Sequence, residues 1–144
     1  MNKKTGIMQG RLLPKYRNRY QAHPFGYWED EFPIASKLGL DSIEFILDYN
    51  DIDQNPLLNN GGIKKILQVQ DKTGVRVRSI CADYFMEAPI HGNDNKIIDK
   101  SLNILEQLIL KSSLLKVSDI VIPCLERSSL KNKNFLENFI TNIK

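Results

Sequence analysis

Apolar and polar positions along the chain repeat one phrase, in which a helix-like stretch ends at a glycine and a short apolar strand follows. The phrase occupies residues 35–45 and 72–83, and it returns less regularly at residues 115–124. Its two glycines, Gly39 and Gly74, lie 35 residues apart, a spacing typical of one βα unit. Repeated βα units predict a parallel sheet covered by helices.

This pattern predicts four strands, each followed by a helix. The strands are expected at residues 6–9, 41–46, 75–82 and 119–123, and the helices at residues 30–38, 63–72, 95–116 and 132–144. Asp30 is predicted to cap the first helix, and Asn93 or Asp94 the third.

Two segments predict extensive burial. In the third helix, Ile98, Leu102, Leu105 and Ile109 form an apolar stripe that Ile97, Ile104 and Leu108 widen, as in a helix packed against a sheet. In the fourth strand, residues 120–122 are uniformly apolar, which is typical of a strand buried on both faces.

Four βα units are half of a (β/α)8 barrel, which usually needs about 250 residues. The prediction is therefore an α/β, TIM-barrel-like fold truncated to roughly its first four units, with residues 1–144 forming one partial domain. A complete flavodoxin-like open sheet is the alternative, but the pattern lacks a fifth strand and a phosphate-binding loop.

The composition is that of an ordinary globular protein. Hydrophobic residues make up 42% of the chain and charged residues 26%, and the net charge of +3 is too small to imply a polyanionic partner. The N-terminus lacks the apolar run of a signal peptide, and no segment approaches the roughly 18 apolar residues of a membrane span. We therefore expect a cytoplasmic protein without a membrane partner, in which Cys81 and Cys124 are reduced thiols.

The distribution of charge is more informative than its sum. Residues 1–28 contain six basic side chains, no acidic one and five aromatic ones. The basic residues are Lys3, Lys4, Arg11, Lys15, Arg17 and Arg19. A basic, aromatic loop after the first strand could hold an anion such as a sugar phosphate or stack on nucleobases. It could equally be a solvated loop whose aromatic residues cover the sheet.

Ligands of parallel α/β folds bind at the C-terminal ends of the strands, and this rule selects the candidate residues. Glu44 and Asp83 are the candidate catalytic residues. The candidate substrate-binding residues are Gln9, Arg11, Cys81, His91 and Glu126.

Glu44 is the most informative of these residues because it lies within the apolar run at residues 43–47. A buried carboxylate is costly unless it is paired or used. Glu44 could bind a substrate hydroxyl, ligate a metal or act as a base. The alternative is a salt bridge with Arg76 or Arg78 on the neighbouring strand.

The other candidates also have structural alternatives. Asp83 could cap a helix or turn the loop, and Glu126 could pair with Arg127. A lone histidine is a weak signal of function, and this applies to His91 and to His23 in the basic loop. Arg11 would suit a phosphate or carboxylate, because its planar guanidinium binds two oxygens.

Four segments of the chain resemble one protein family. They are residues 6–12 (GIMQGRL), residues 27–32 with their Tyr-Trp and Glu-Phe pairs, residues 40–45 (LDSIEF) and residues 79–86 (SICADYFM). They are similar to the N-terminal half of the sugar phosphate isomerase/epimerase proteins. This family belongs to the xylose isomerase-like barrel superfamily, which also contains the DNA-repair enzymes of the endonuclease IV type.

The resemblance implies an eight-stranded barrel with a divalent metal (Mn²⁺, Mg²⁺ or Co²⁺) at its C-terminal mouth. It implies isomerisation or epimerisation of a sugar or sugar phosphate by proton transfer next to a carbonyl. The implied metal ligands lie mainly on strands five to eight, so no residue of this chain is assigned as a ligand. Glu44, Cys81 and Asp83 correspond to the substrate-facing rim.

Two further functions stay open. An endonuclease IV-like phosphodiesterase would grip a nucleic acid backbone with the basic loop, although nucleic acid is the less favoured partner. A non-catalytic assembly module would pair its exposed sheet edges with another copy and so close a barrel. The motifs of dinucleotide enzymes, P-loop NTPases and α/β-hydrolases do not occur in the sequence.

Overall fold

The computed structural model describes residues 4–144, so Lys3 of the basic segment lies outside the described residues. Within this range the chain forms one four-stranded parallel sheet and five α-helices, which confirms the predicted α/β architecture. The strands are β1 (Gly6–Met8), β2 (Ser42–Ile46), β3 (Arg76–Cys81) and β4 (Asp119–Val121). The helices are α1 (Glu31–Lys37), α2 (Asn60–Thr73), α3 (Tyr84–Glu87), α4 (Asn95–Leu115) and α5 (Lys133–Asn142). The strands follow one another in the sheet in sequence order.

Polar side chains and a glycine cap the longer helices, although α2 begins at Asn60, three residues earlier than predicted. Asp94 accepts hydrogen bonds from the backbone of Lys96 and Ile97, and Asn132 accepts one from Phe135. Gly74 closes α2 at a φ of 78°, a conformation that glycine adopts without strain. The prediction for Asp30 is wrong: it belongs to a 3-10 turn before α1, and its side chain makes no capping hydrogen bond.

The main core lies between the sheet and the helices. Ile43 and Phe45 of β2 and Ile80 of β3 are at most 1% exposed, and they belong to the same cluster as Phe32 of α1 and Leu108 of α4. Because side chains alternate along a strand, the residues between them point to the opposite face of the sheet. That second face carries the candidate site.

A β-bulge interrupts the pairing of β2 with β3. Ile43 lies opposite Val77, but Glu44 lies opposite Ser79, so that Arg78 is the extra residue. A bulge shifts the alternation of side chains by one position. It therefore keeps both Val77 and Ile80 in the core, although they are three residues apart.

Strand β4 is less buried than its sequence predicts. Val121 is 45% exposed and Ile120 is only partly buried, so the prediction of burial on both faces is wrong. The physical reason is position, because β4 is the last strand of the sheet and pairs only with β3 among the described residues.

The buried face of α4 is also rotated from the predicted stripe. Ile97 and Ile109 are 41% and 52% exposed, in contrast to the prediction. The buried residues are Ser101, Leu105, Leu108, Ser112 and Leu115. Small serines permit close approach, and the Ser101 hydroxyl donates to the backbone oxygen of Ala88 at 2.8 Å. No helix in the described range is long and apolar enough to cross a membrane.

Candidate functional site

The first two strands are tied together at their C-terminal ends by Gln9. Its side chain is fully buried, and its Oε1 accepts a hydrogen bond from the backbone nitrogen of Ile46 at 2.9 Å. The backbone nitrogen of Gln9 donates to the backbone oxygen of Glu44 at 2.9 Å. Gln9 therefore extends the β1–β2 ladder, and the structure places it beneath the strand ends rather than on their surface.

His23 packs beside Gln9 and is 4% exposed. Its Nδ1 lies 3.3 Å from Gln9 Oε1, and its ring lies 5.4 Å from the ring of Phe45 and 6.4 Å from that of Trp28. Burial lowers the pKa of His23 to about 4, so the imidazole is neutral near pH 7. Neutral Nδ1–H donates to the amide oxygen, and His23 acts as part of the core.

Glu31 holds the start of the loop after β1 in place, and this role was not predicted from the sequence. It is fully buried at the start of α1, and its two carboxylate oxygens accept hydrogen bonds from Gly10 and Leu12 at 2.8 and 3.0 Å. Burial raises the pKa of Glu31, and these backbone donors oppose the shift. The only signal in the sequence was an acid between two aromatic residues, Trp28 and Phe32.

Loop 1 (residues 10–27) begins at Gly10, which Glu31 holds in place. Gly10 has a φ of 88°, and a Cβ there would lie 2.3 Å from the backbone oxygen of Tyr20. Only glycine fits this position. The loop can therefore fold back over its own start and run across the ends of the neighbouring strands.

Glu44 projects from β2 to the face of the sheet opposite the core. Its Oε1 accepts a hydrogen bond from the Ser79 hydroxyl on β3 at 2.8 Å. The alternative of a salt bridge is wrong, because the bulge sets Ser79 and not Arg78 opposite Glu44, and Arg76 pairs with Asp71 at 2.9 Å. Glu44 is only partly buried, so its carboxylate faces the strand-end surface.

Cys81 and Asp83, at the end of β3, form a second hydrogen-bonded pair beside Glu44 and Ser79. Cys81 Sγ donates to Asp83 Oδ1 at 3.1 Å, and Gln21 Nε2 of loop 1 donates to Asp83 Oδ2 at 3.3 Å. Burial, and then the nearby charges of Asp83 and Glu44, raise the pKa of the Cys81 thiol. The thiol therefore stays protonated and orients Asp83 instead of acting as a nucleophile. Asp83 does not cap α3 with its side chain.

Two ion pairs connect loop 1 to loop 2 (residues 47–59), which follows β2. Arg19 lies 2.6 Å from Asp48 Oδ2, and Arg17 lies 2.9 Å from Asp51 Oδ2. The Tyr16 hydroxyl donates to the same Asp51 oxygen at 3.0 Å. Together with Gln21, these side chains fasten loop 1 across the ends of β2 and β3.

The remaining candidates lie apart from this group. His91 is 4% exposed and packs against the rings of Phe135 and Phe139 of α5, each 5.7 Å away. It lines a separate depression of about 150 Å³ that Arg127 also lines.

Arg11 and Glu126 are both exposed. The proposed pairing of Glu126 with Arg127 is wrong, because Arg127 pairs with Glu87 at 3.2 Å. The structure therefore brings together Glu44, Cys81 and Asp83, and separates them from His91 and Glu126.

The resemblance to metal-dependent isomerases implies a divalent cation near the strand ends. Within residues 4–144, no group of three or more His, Cys, Asp and Glu side chains could hold a metal ion. Asp48 is already paired with Arg19, and Asp83 with Cys81 and Gln21. By themselves, these residues do not fit a metal site.

Comparisons with known proteins do not assign the chain to a family. No model of a known protein family matches the chain, and no curated protein matches it.

Proposed function

We propose that this chain supplies part of the active site of a sugar or sugar phosphate isomerase or epimerase, and that its sheet forms four strands of a (β/α)8 barrel. The observation that supports this best is the convergence of Glu44 with Cys81 and Asp83 near the strand ends, on the face of the sheet opposite the main core. Ligands of parallel α/β folds bind at that end.

Glu44 is the proposed general base. The Ser79 hydroxyl holds Oε1 in place, while Oε2 makes no hydrogen bond to the described residues and is left for substrate. A carboxylate so oriented can take a proton from the carbon next to a carbonyl. Returning it to the neighbouring carbon, while a proton passes from one sugar oxygen to the other, gives isomerisation; delivery of a proton to the opposite face of the same carbon by a second acid gives epimerisation.

Asp83 is the proposed partner of Glu44. Each of its oxygens accepts one protein hydrogen bond, from Cys81 or Gln21, and each keeps a lone pair for a substrate hydroxyl. Two carboxylates, one on β2 and one just after β3, can bind neighbouring hydroxyl groups of a sugar chain.

The test is proton exchange by the full 144-residue chain. A panel of pentoses, hexoses and their phosphates is incubated in D₂O with added Mn²⁺, Mg²⁺ or Co²⁺, and deuterium entry next to the carbonyl is followed by ¹H NMR. Exchange is expected for one substrate, with at least a ~100-fold loss in Glu44→Gln and in Asp83→Asn, because general base catalysis contributes about that much. Glu106→Gln, on the exposed side of α4, is the control.

Binding without exchange would reject the catalytic role of Glu44 and leave a sugar-binding site. The absence of both exchange and binding at about 10 mM sugar, where a millimolar site is nearly saturated, would reject the proposed function.

A further inference from the structure

Two of the four basic residues of loop 1 already pair with carboxylates. Arg19 contacts Asp48, whose side chain is 8% exposed, and Arg17 contacts Asp51, whose side chain is 24% exposed. These two acids follow β2, 29 and 34 residues after the arginines in the sequence. The charges of these two arginines are therefore neutralised by acids that lie far from them in the sequence.

A tight turn sets the direction of both arginines. Tyr16 and Arg19 exchange backbone hydrogen bonds of 3.0 and 2.9 Å, and the two residues between them, Arg17 and Asn18, have φ values of 48° and 62°. Two successive positive φ values define a type I′ turn, which gives the flanking residues a fixed orientation. The arginines are thus held toward loop 2.

The side chains that are hydrogen-bonded or ion-paired at the strand ends consequently include more carboxylates than guanidinium groups. The carboxylates are Glu44, Asp48, Asp51 and Asp83, and the guanidinium groups are Arg17 and Arg19. A phosphate dianion would have to displace a carboxylate from an arginine while facing the remaining acids. A sugar hydroxyl would only have to donate a hydrogen bond to a carboxylate oxygen, which is a favourable, charge-assisted contact.

The other two basic residues of loop 1 offer little to an anion. Lys15 Nζ lies 4.5 Å from the centre of the Tyr20 ring, so its ammonium group already makes a cation–π interaction. Arg11 is exposed, and a single exposed charge binds an anion weakly in water.

We propose that the strand-end surface takes the uncharged, hydroxyl-bearing part of its ligand, and that Arg17 and Arg19 lock loop 1 to loop 2 instead of binding a phosphate. The identity of the ligand as a carbohydrate rests on the proposed function. The role of the two arginines does not.

The experiment uses three probes with the full chain: inorganic phosphate, D-ribose and D-ribose 5-phosphate, each titrated while ¹H–¹⁵N NMR spectra are recorded. Inorganic phosphate is expected not to saturate at about 10 mM. Ribose and its phosphate are expected to shift the same backbone amides, near Glu44 and Asp83, with affinities within about threefold of each other.

The double variant Asp48→Asn/Asp51→Asn tests the lock directly, because it releases both guanidinium groups while keeping the shape of each side chain. It is expected to bind inorganic phosphate at least about tenfold more tightly than the wild type. Asp71→Asn is the matched control, since it releases Arg76 on β3 and leaves loop 1 unchanged. If the double variant does not fold, phosphate binding is measured with Asp51→Asn alone, which releases Arg17 from the more exposed of the two ion pairs.

Two results would overturn this proposal. One is a wild-type chain that binds phosphate as tightly as the double variant. The other is ribose 5-phosphate binding more than about tenfold more tightly than ribose, with the difference lost in Arg17→Gln/Arg19→Gln. If neither sugar binds, the proposed function fails, and the phosphate titrations still decide whether the arginines lock the loops.

Discussion

The two edges of the sheet are built from the same βα phrase but bury their residues very differently. At the β1 edge, Trp28 and Phe32 are 7% and 0% exposed, and Glu31 is fully buried with both oxygens hydrogen-bonded. At the β4 edge, α5 contains no buried residue, and Leu136 and Ile140 are 43% and 41% exposed.

This difference shows that a repeated sequence phrase does not give each unit the same stability. Local opening is favoured where few apolar contacts are buried, and α5 fits that description. The candidate site draws Glu44, Asp48 and Asp83 from the well-buried side. We therefore expect the β4 edge to open without disturbing the strand ends of β1 to β3.

The largest effect should come from a pair of matched truncations. Phe32→Ala removes a fully buried ring and should lower the free energy of unfolding by about 3–5 kcal/mol. Phe139→Ala removes a partly buried ring at the β4 edge and should cost about 1 kcal/mol. Urea denaturation measures both, and equal losses would remove the asymmetry between the two edges.

The carboxylate of Glu31 should have the next largest effect. Glu31→Ala leaves the backbone nitrogens of Gly10 and Leu12 without acceptors and should cost about 2–4 kcal/mol, since each unpaired buried donor costs about 1–3 kcal/mol. Glu31→Gln keeps one acceptor oxygen and should cost less. An alanine variant with wild-type stability would show that Glu31 does not hold loop 1.

Acid should weaken the β1 edge through His23. Burial lowers its pKa in the folded chain from 6.5 to about 4, so the unfolded chain takes up a proton more readily. The stabilisation is complete above pH 6.5 and is lost as the pH falls toward about 4, an effect of about 3 kcal/mol.

His23→Phe should flatten the dependence of stability on pH in this window, as measured by urea denaturation at about pH 7 and pH 4. Burial also lowers the pKa of His91, so His91→Phe is the matched variant at the β4 edge. If only His91→Phe flattens the curve, the acid-sensitive group lies at the β4 edge, and the prediction for His23 is wrong.

The smallest effect should come from the surface of α5. Lys133 and Glu137 lie 3.6 Å apart with side chains 86% and 58% exposed, and such helix pairs contribute about 0.2–0.5 kcal/mol. Lys133→Gln should therefore shift the urea midpoint only slightly. A loss above about 1 kcal/mol would mean that α5 is held more firmly than its burial indicates.

Local patterns predicted the elements of the fold well. The Asp94 cap and the Gly74 turn gave the ends of α4 and α2 correctly, because capping depends on neighbouring residues. The buried face of α4 could not be read from apolar spacing alone. Ser101 and Ser112 lie on that face because they are small, and their contribution depends on the surface they approach.

The candidate site was predictable only in part. The rule of strand ends identified Glu44 and Asp83, which converge on one surface of the sheet. It could not show that Gln9 is buried, or that Asp48 and Asp51 neutralise two arginines of the basic loop, because these contacts join residues about 30 positions apart or more. Such pairings depend on how the loops cross in space.

The bulge in β3 means that the chemistry opposite Glu44 depends on chain length as well as residue type. With Arg78 as the extra residue, Glu44 meets a neutral hydroxyl. A chain that lost Ser79 would keep Val77 and Ile80 in the core and would present the Arg78 guanidinium to Glu44. Loss of the Ser79 codon would therefore convert Glu44 from a carboxylate bonded to a neutral hydroxyl into half of an internal ion pair.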